Sequence, residues 1–137
     1  MKGRVLLVAS SDSSGGTGIP ADIKAVTALN GYAMPAITAL TAQDTLAAHA
    51  VHVIPPEFIA LQMRVVLRDL GADAIKLGVM LNAPVVDAIA DVLADQVGEF
   101  VCATAGHHME AMLAAYGSGA AKASHDLGKR ILNVDIG

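Results

Sequence analysis

The run Ala9-Ser10-Ser11-Asp12-Ser13-Ser14-Gly15-Gly16-Thr17-Gly18 puts four serines, three glycines and a carboxylate into ten positions. The apolar stretch Arg4-Val5-Leu6-Leu7-Val8 precedes it, and Ile19-Pro20-Ala21-Asp22 leads away into a helical repeat. Glycines at a strand-to-helix turn let the backbone approach a ligand closely. The N–H groups at the start of the following helix then face a polar or anionic group above the turn. Such a loop could bind and orient a small polar ligand. On its chemistry alone it could equally be a tight βα turn.

Other reactive residue types are sparse. Lys76 lies in the otherwise apolar stretch Ala74-Ile75-Lys76-Leu77-Gly78. A buried ammonium needs a partner, so Lys76 either edges a pocket or marks an exposed strand end. His107 and His108 are adjacent, and on a helix they point in different directions. His125 and Asp126 have no fixed spacing to them, so no metal is expected. Cys102 reads as a small buried hydrophobe, with no base to activate it. Asp135 reads as structural and Gly117-Ser118-Gly119 as a helix break. No residue is assigned a catalytic role.

These residues need strands and helices to position them. Val5–Ala9 is predicted as a buried first strand, followed by a helix over Thr17–Asn30 with Ile19, Ile23, Val26 and Leu29 at helical spacing. Asn30-Gly31 is its stop signal. Ala33–Leu40 is a second strand with Thr41–Thr45 as its exit loop, and Val51–Ile54 a short edge strand. A helix over Pro56–Leu70 starts with proline in its first turn and carries the apolar stripe Phe58, Leu61, Val65 and Val66, with Gly71 as its cap. Ala74–Gly78 is a strand and Ala83–Ala94 a helix with Val85, Val86, Ile89, Val92 and Leu93 inward. Glu99–Ala103, His107–Tyr116, Ala120–Leu127 and Ile131–Ile136 continue as strand, helix, helix and strand. Strands alternating with helices predict a three-layer α/β/α, Rossmann-like fold with a mostly parallel sheet of about five strands.

Bulk composition agrees. The 137 residues fit one domain, 1–137, and can bury a core without cross-links. Apolar residues make up 54% and charged residues 16% of the chain, and with two Phe, two Tyr and no Trp the excess is small and aliphatic. That suits a parallel sheet covered by helices. The net charge of −4 makes no electrostatic case for nucleic acid or an anionic membrane surface. A single cysteine, no secretory signal pattern and no membrane-length apolar run lead to an expected cytoplasmic location.

Residues 4–93 resemble the hydroxymethylpyrimidine and phosphomethylpyrimidine kinases of thiamine biosynthesis, in the ribokinase-like superfamily. The residues that carry the resemblance are Ser11–Ile19 with Ala21, Asp22 and Lys24, then Ala36–Gln43, Val51-His52, Pro55–Phe58, Gly71–Lys76 and Gly78. It implies a partial ribokinase-like fold with a pocket over the C-terminal ends of the first strands. It also implies that Asp22 and Gln43 hydrogen-bond an aminopyrimidine, with Ser10, Asp12 and Gly18 framing the site. A carboxylate and an amide suit a ring that offers both donors and acceptors. Read from the residues alone, Asp22 could instead be a favourable charge early in a helix, and Gln43 could satisfy loop backbone groups. The implied phosphoryl donor is MgATP. The family's ATP-binding and anion-hole half is not found in this chain, so the chain is expected not to turn over. Homodimers are common in the family, and an exposed sheet edge would favour self-association.

Beyond a suspected junction near residue 95, residues 96–137 resemble a segment of the reactivating protein of ethanolamine ammonia-lyase. The residues concerned are Gly98–Val101, Ala103–Gly106 with His108, Gly117–Ala120 and Ile131–Gly137. The pair of resemblances implies a chimera of two α/β pieces. A structural product without a ligand and a weak pyrimidine-binding module are the alternatives to a kinase remnant.

Overall fold

A computed structural model describes residues 3–95 and, for the backbone alone, 101–104. The expected helices 107–116 and 120–127, the strand 131–136, His107, His108, His125, Asp126, Asp135 and the 117–119 break lie outside the described residues.

Successive side chains of β1 (Arg4–Asp12) leave on opposite faces, and Leu6 to Ala9 are buried in an unbroken row because both faces are covered. Leu6 and Val8 enter one core; Leu7 and Ala9 enter another. The second core is closed by Ile19 of α1 (Gly18–Ala28), with Val26, Val5, Ala33 and Ile37 packed around it. On the opposite face, α2 (Pro56–Asp69) and α3 (Ala83–Ala94) cover Leu6, Val8, Met34, Ala36, Ile75 and Leu77. The result is the expected α/β/α layering. With β2 (Tyr32–Gln43), β3 (Ala48–Val53), β4 (Ala74–Leu77) and β5 (Val101–Thr104), the five-stranded sheet runs in the order β3-β2-β1-β4-β5. Only β3 is antiparallel to its neighbour. Pairing of β5 beside β4 carries the sheet past residue 95.

Helix ends follow their sequence signals. Asn30 takes the left-handed conformation (φ 64°), Gly31 N–H donates to Val26 O at 2.9 Å and Asn30 N–H to Thr27 O at 2.9 Å. This is the paired-bond ending that favours Asn or Gly. Gly71 (φ 67°) ends α2, and Asn82 caps α3 by accepting from Val85 N–H at 3.0 Å.

Several expectations are corrected. The first strand runs on to Asp12 and the second to Gln43, because the two stay paired through a register shift between Ala9 and Ser11. Ser10 and Asp12 therefore belong to a strand end, and the 41–45 exit loop shrinks to a turn. That turn is held by the Asp44 carboxylate, which accepts from Leu46 and Ala47 N–H, so β3 starts at Ala48 rather than Val51. The α2 stripe is rotated: Phe58, Leu61 and Val65 are each about half exposed (53%, 52% and 51%), while Ile59, Ala60, Met63 and Leu67 are buried. The sheet selects one of two interleaved apolar faces on that helix. Ile19 of α1 is buried, but Leu29, which follows its last residue, is 73% exposed.

Where β3 stops covering β2, a side chain takes over. Gln62 Oε1 accepts from Ile37 N–H at 3.0 Å, and Gln62 Nε2 donates to Ile37 O at 3.0 Å. The amide acts as a one-residue strand on the open edge of β2. Pro35, two positions earlier, has its missing donor on that same edge, where no ladder bond is lost. A Gln62→Leu substitution leaves both Ile37 groups unpaired and is expected to cost about 1–3 kcal/mol in urea unfolding followed by circular dichroism. An unchanged midpoint would contradict this role.

Candidate functional site

The strand order reverses direction at β1. The connection through α1 leads to β2 on one side, and the later connection through α2 leads to β4 on the other. In open α/β sheets such a reversal opens a crevice at the carboxyl ends of the strands, where ligands bind. The Ser/Gly loop leaves β1 at that end.

Asp12 shapes the loop. It is buried (3% exposed). Its Oδ1 accepts from Ser14 N–H and Oγ, both at 2.8 Å. Its Oδ2 accepts from Ser14 Oγ at 2.8 Å and from Thr17 N–H and Oγ1, both at 2.9 Å. Both oxygens are thus engaged by the loop itself. Gly18 (φ 59°) opens α1 where a Cβ would sit 2.2 Å from Ser10 O, so only glycine lets helix and strand meet there. Lys24 Nζ donates to Gly15 O at 2.9 Å and ties the loop tip to α1.

The loop is also fastened to the end of β2. Ser13 Oγ donates to Gln43 O and accepts from Gln43 N–H, each at 2.8 Å, and Thr41 Oγ1 donates to Ser11 O at 3.1 Å. Gln43 Oε1 receives only a long contact from Thr41 Oγ1, 3.4 Å. Among the described residues its amide nitrogen donates to no protein group. Ser10, Asp12, Gly18 and Gln43 are therefore part of one connected loop-and-strand assembly.

Asp22 sits one turn into α1. Its Oδ1 accepts from Lys76 Nζ of β4. Its Oδ2 is buried and, among the described residues, has no hydrogen-bond partner. A buried carboxylate oxygen without a donor is costly, so a ligand N–H or O–H brought against it would relieve that cost. The sequence left Lys76 open between pocket edge and exposed strand end; its partner, fifty-four positions away, was not legible there. The only signal was a lone cation in an apolar strand.

The electrostatics predict acid lability. The Ser14 hydroxyl, followed by the Ser14 and Thr17 N–H groups and the Thr17 hydroxyl, outweighs burial and holds Asp12 down to about 2. At the other end of the sheet, the Arg4 guanidinium and N–H hold Asp73 down to about 2. A depressed folded-state value stabilises the fold above the ordinary 3.8, and that contribution is lost as pH falls through about 2. Thermal melts across this window should show a falling Tm, with a shallower slope in Asp12→Asn and Asp73→Asn. Equal slopes in all three proteins would contradict the assignment.

Comparison with known proteins decides the family. The family model for phosphomethylpyrimidine kinase matches residues 12–110. The chain belongs to the phosphomethylpyrimidine kinase family. It is similar to the thiamine biosynthesis bifunctional protein ThiED of Geobacter sulfurreducens, 46% identical over 89 residues, covering 65% of this chain and 18% of the relative. The hydroxymethylpyrimidine/phosphomethylpyrimidine kinase of Bacillus subtilis is 45% identical over 87 residues, covering 64% and 32%. Among solved structures, the phosphomethylpyrimidine kinase of Clostridium difficile 630 superposes with a TM-score of 0.69 at 35% identity, covering 72% of this chain and 43% of that one. The chain thus spans about a third or less of the length of these curated relatives. The phosphomethylpyrimidine kinase match runs past residue 95 to residue 110. Among the described residues, no helix is long and apolar enough to cross a membrane.

Proposed function

We propose that the crevice at the end of β1 is the acceptor side of a hydroxymethylpyrimidine or phosphomethylpyrimidine kinase site. In this reading Asp22 and Gln43 read the edge of an aminopyrimidine, and Ser10, Asp12 and Gly18 form the wall that holds it. The buried, unpartnered Oδ2 of Asp22 carries the reading: it supplies the one acceptor a ring amino group requires. Gln43 adds an amide whose nitrogen, among the described residues, donates to no protein group and so suits a ring acceptor.

Bound MgATP would supply the phosphoryl group, and transfer to the ligand hydroxyl depends mainly on positioning and charge stabilisation. We assign none of the described residues to the donor. The part played by this chain is to bind and orient the acceptor and to exclude water beneath it. Calorimetric titration with an amino-bearing hydroxymethylpyrimidine is expected to give saturable heat, and no heat would contradict the reading. The 137-residue polypeptide alone is expected to release no ADP in a coupled assay with that ligand and MgATP. Saturable turnover would show that it carries a donor site as well.

We further propose that residues 1–137 form one α/β domain, with a junction near 95 between a kinase-like segment and one similar to the ammonia-lyase reactivating protein. The shared sheet formed by β4 and β5 favours a single domain. Light scattering would test the homodimer that the family resemblance suggests.

A further inference from the structure

We infer that Lys76 is a positioning residue of the proposed acceptor site: it occupies Asp22 Oδ1 so that Oδ2 remains a single, fixed acceptor for a ligand N–H. The inference rests on the acceptor-site reading and adds to it the residue that sets its selectivity. Three observations lead to it. Asp22 and Lys76 come from different elements, and their bond joins α1, the helix that follows β1, to β4, the strand beside β1. Lys76 lies on a paired strand, opposite Leu7 of β1, so its side chain leaves the sheet on the face that α1 covers. Only one carboxylate oxygen is used, and the unused one is buried. A lone aspartate could turn either oxygen toward a ligand. An aspartate bonded to an ammonium on one oxygen presents the other in one orientation and has its charge balanced before any ligand arrives.

The chemical consequence is discrimination. A fixed carboxylate oxygen accepts from an amino group and repels a carbonyl oxygen. The site should therefore prefer an aminopyrimidine over the same ring with a carbonyl in place of the amino group. The ammonium supplies no such selectivity itself, since its role is to orient the carboxylate.

The test is calorimetric titration of the full chain with the amino-bearing hydroxymethylpyrimidine and with its oxo counterpart. The unmodified protein should bind the amino ring about tenfold to a hundredfold more tightly, the range of one hydrogen bond to a charged group. Lys76→Met should reduce that preference severalfold, because either oxygen can then turn toward the ring, and Lys76→Arg should restore part of it. Lys76→Met leaves a carboxylate without its cation and could unfold. The double variant Asp22→Asn with Lys76→Met removes both charges and should melt as the parent does, yet show no preference for the amino ring. A Lys76→Met protein that folds and keeps the full preference would overturn the inference while leaving the acceptor-site reading intact. Failure of the unmodified protein to bind either ring would overturn both.

Discussion

Gly18→Ala is expected to lower stability by at least about 2 kcal/mol, which for a domain of this size is a fall in Tm of roughly 6–10 °C. Two separate costs add. A side chain at φ 59° is strained wherever it occurs, and here its Cβ would lie 2.2 Å from Ser10 O, a backbone atom that cannot swing aside. Relief requires α1 to move off the end of β1, which would also pull Thr17 away from Asp12 and break the bonds that shape the loop. Gly16→Ala is the control. Its Cβ would meet only Ser14 Oγ at 3.6 Å and Asp12 Oδ2 at 3.8 Å, ordinary contacts at an unstrained position. Thermal melts of the two variants should separate clearly. If they melt together, the close approach of helix and strand at Gly18 is not what shapes the loop.

The largest functional effect is expected at Asp22. Asp22→Ala should weaken binding of the amino-bearing pyrimidine about tenfold to a hundredfold, the loss of one hydrogen bond to a charged group. Its effect on the melt should be smaller than that of Gly18→Ala, because Oδ2 bonds no group among the described residues and Lys76, about a third exposed, can turn toward water. That separation of affinity from stability is the signature of a residue held for a ligand. Titration of the variant, compared with the parent chain, measures it. Undiminished affinity would remove Asp22 from the site.

Much of the architecture was legible because it rests on local patterns. Helix α3 matches its predicted span, and all five of its inward residues are buried, since that helix has one apolar face and an asparagine cap. The stop at Asn30-Gly31 and the cap at Gly71 follow from conformations those residues adopt easily. The rotation of α2 was hidden because two apolar stripes share the helix, and only the position of the sheet decides which is buried. The length of β1 and β2 was hidden for a related reason. Ser10, Ser11, Asp12 and Thr41 look like loop residues, yet the strands continue through them because Ser11 pairs with Leu40 and Asp12 with Thr41 beyond the register shift at Ser10.

The candidate site divides in the same way. Its loop, with Ser10, Asp12 and Gly18, stands out in the sequence because glycine and serine crowd a strand end. Gln43 and Asp22 were singled out through resemblance. The bond between Asp22 and Lys76 links residues far apart in the chain, and no local pattern encodes it. The same is true of Ser13 and Gln43, whose reciprocal bonds join the loop to β2.

The most direct test of the acceptor-site reading is a residue-by-residue map of ligand contact. Nitrogen-15-labelled protein titrated with the amino-bearing hydroxymethylpyrimidine should show amide shifts in Ser10–Asp22, at Gln43 and in Lys76–Gly78, saturating together. Arg4 and Asp73, at the opposite end of the sheet, should stay still. An absence of shifts, or shifts gathered around Arg4 and Asp73 instead, would contradict the account.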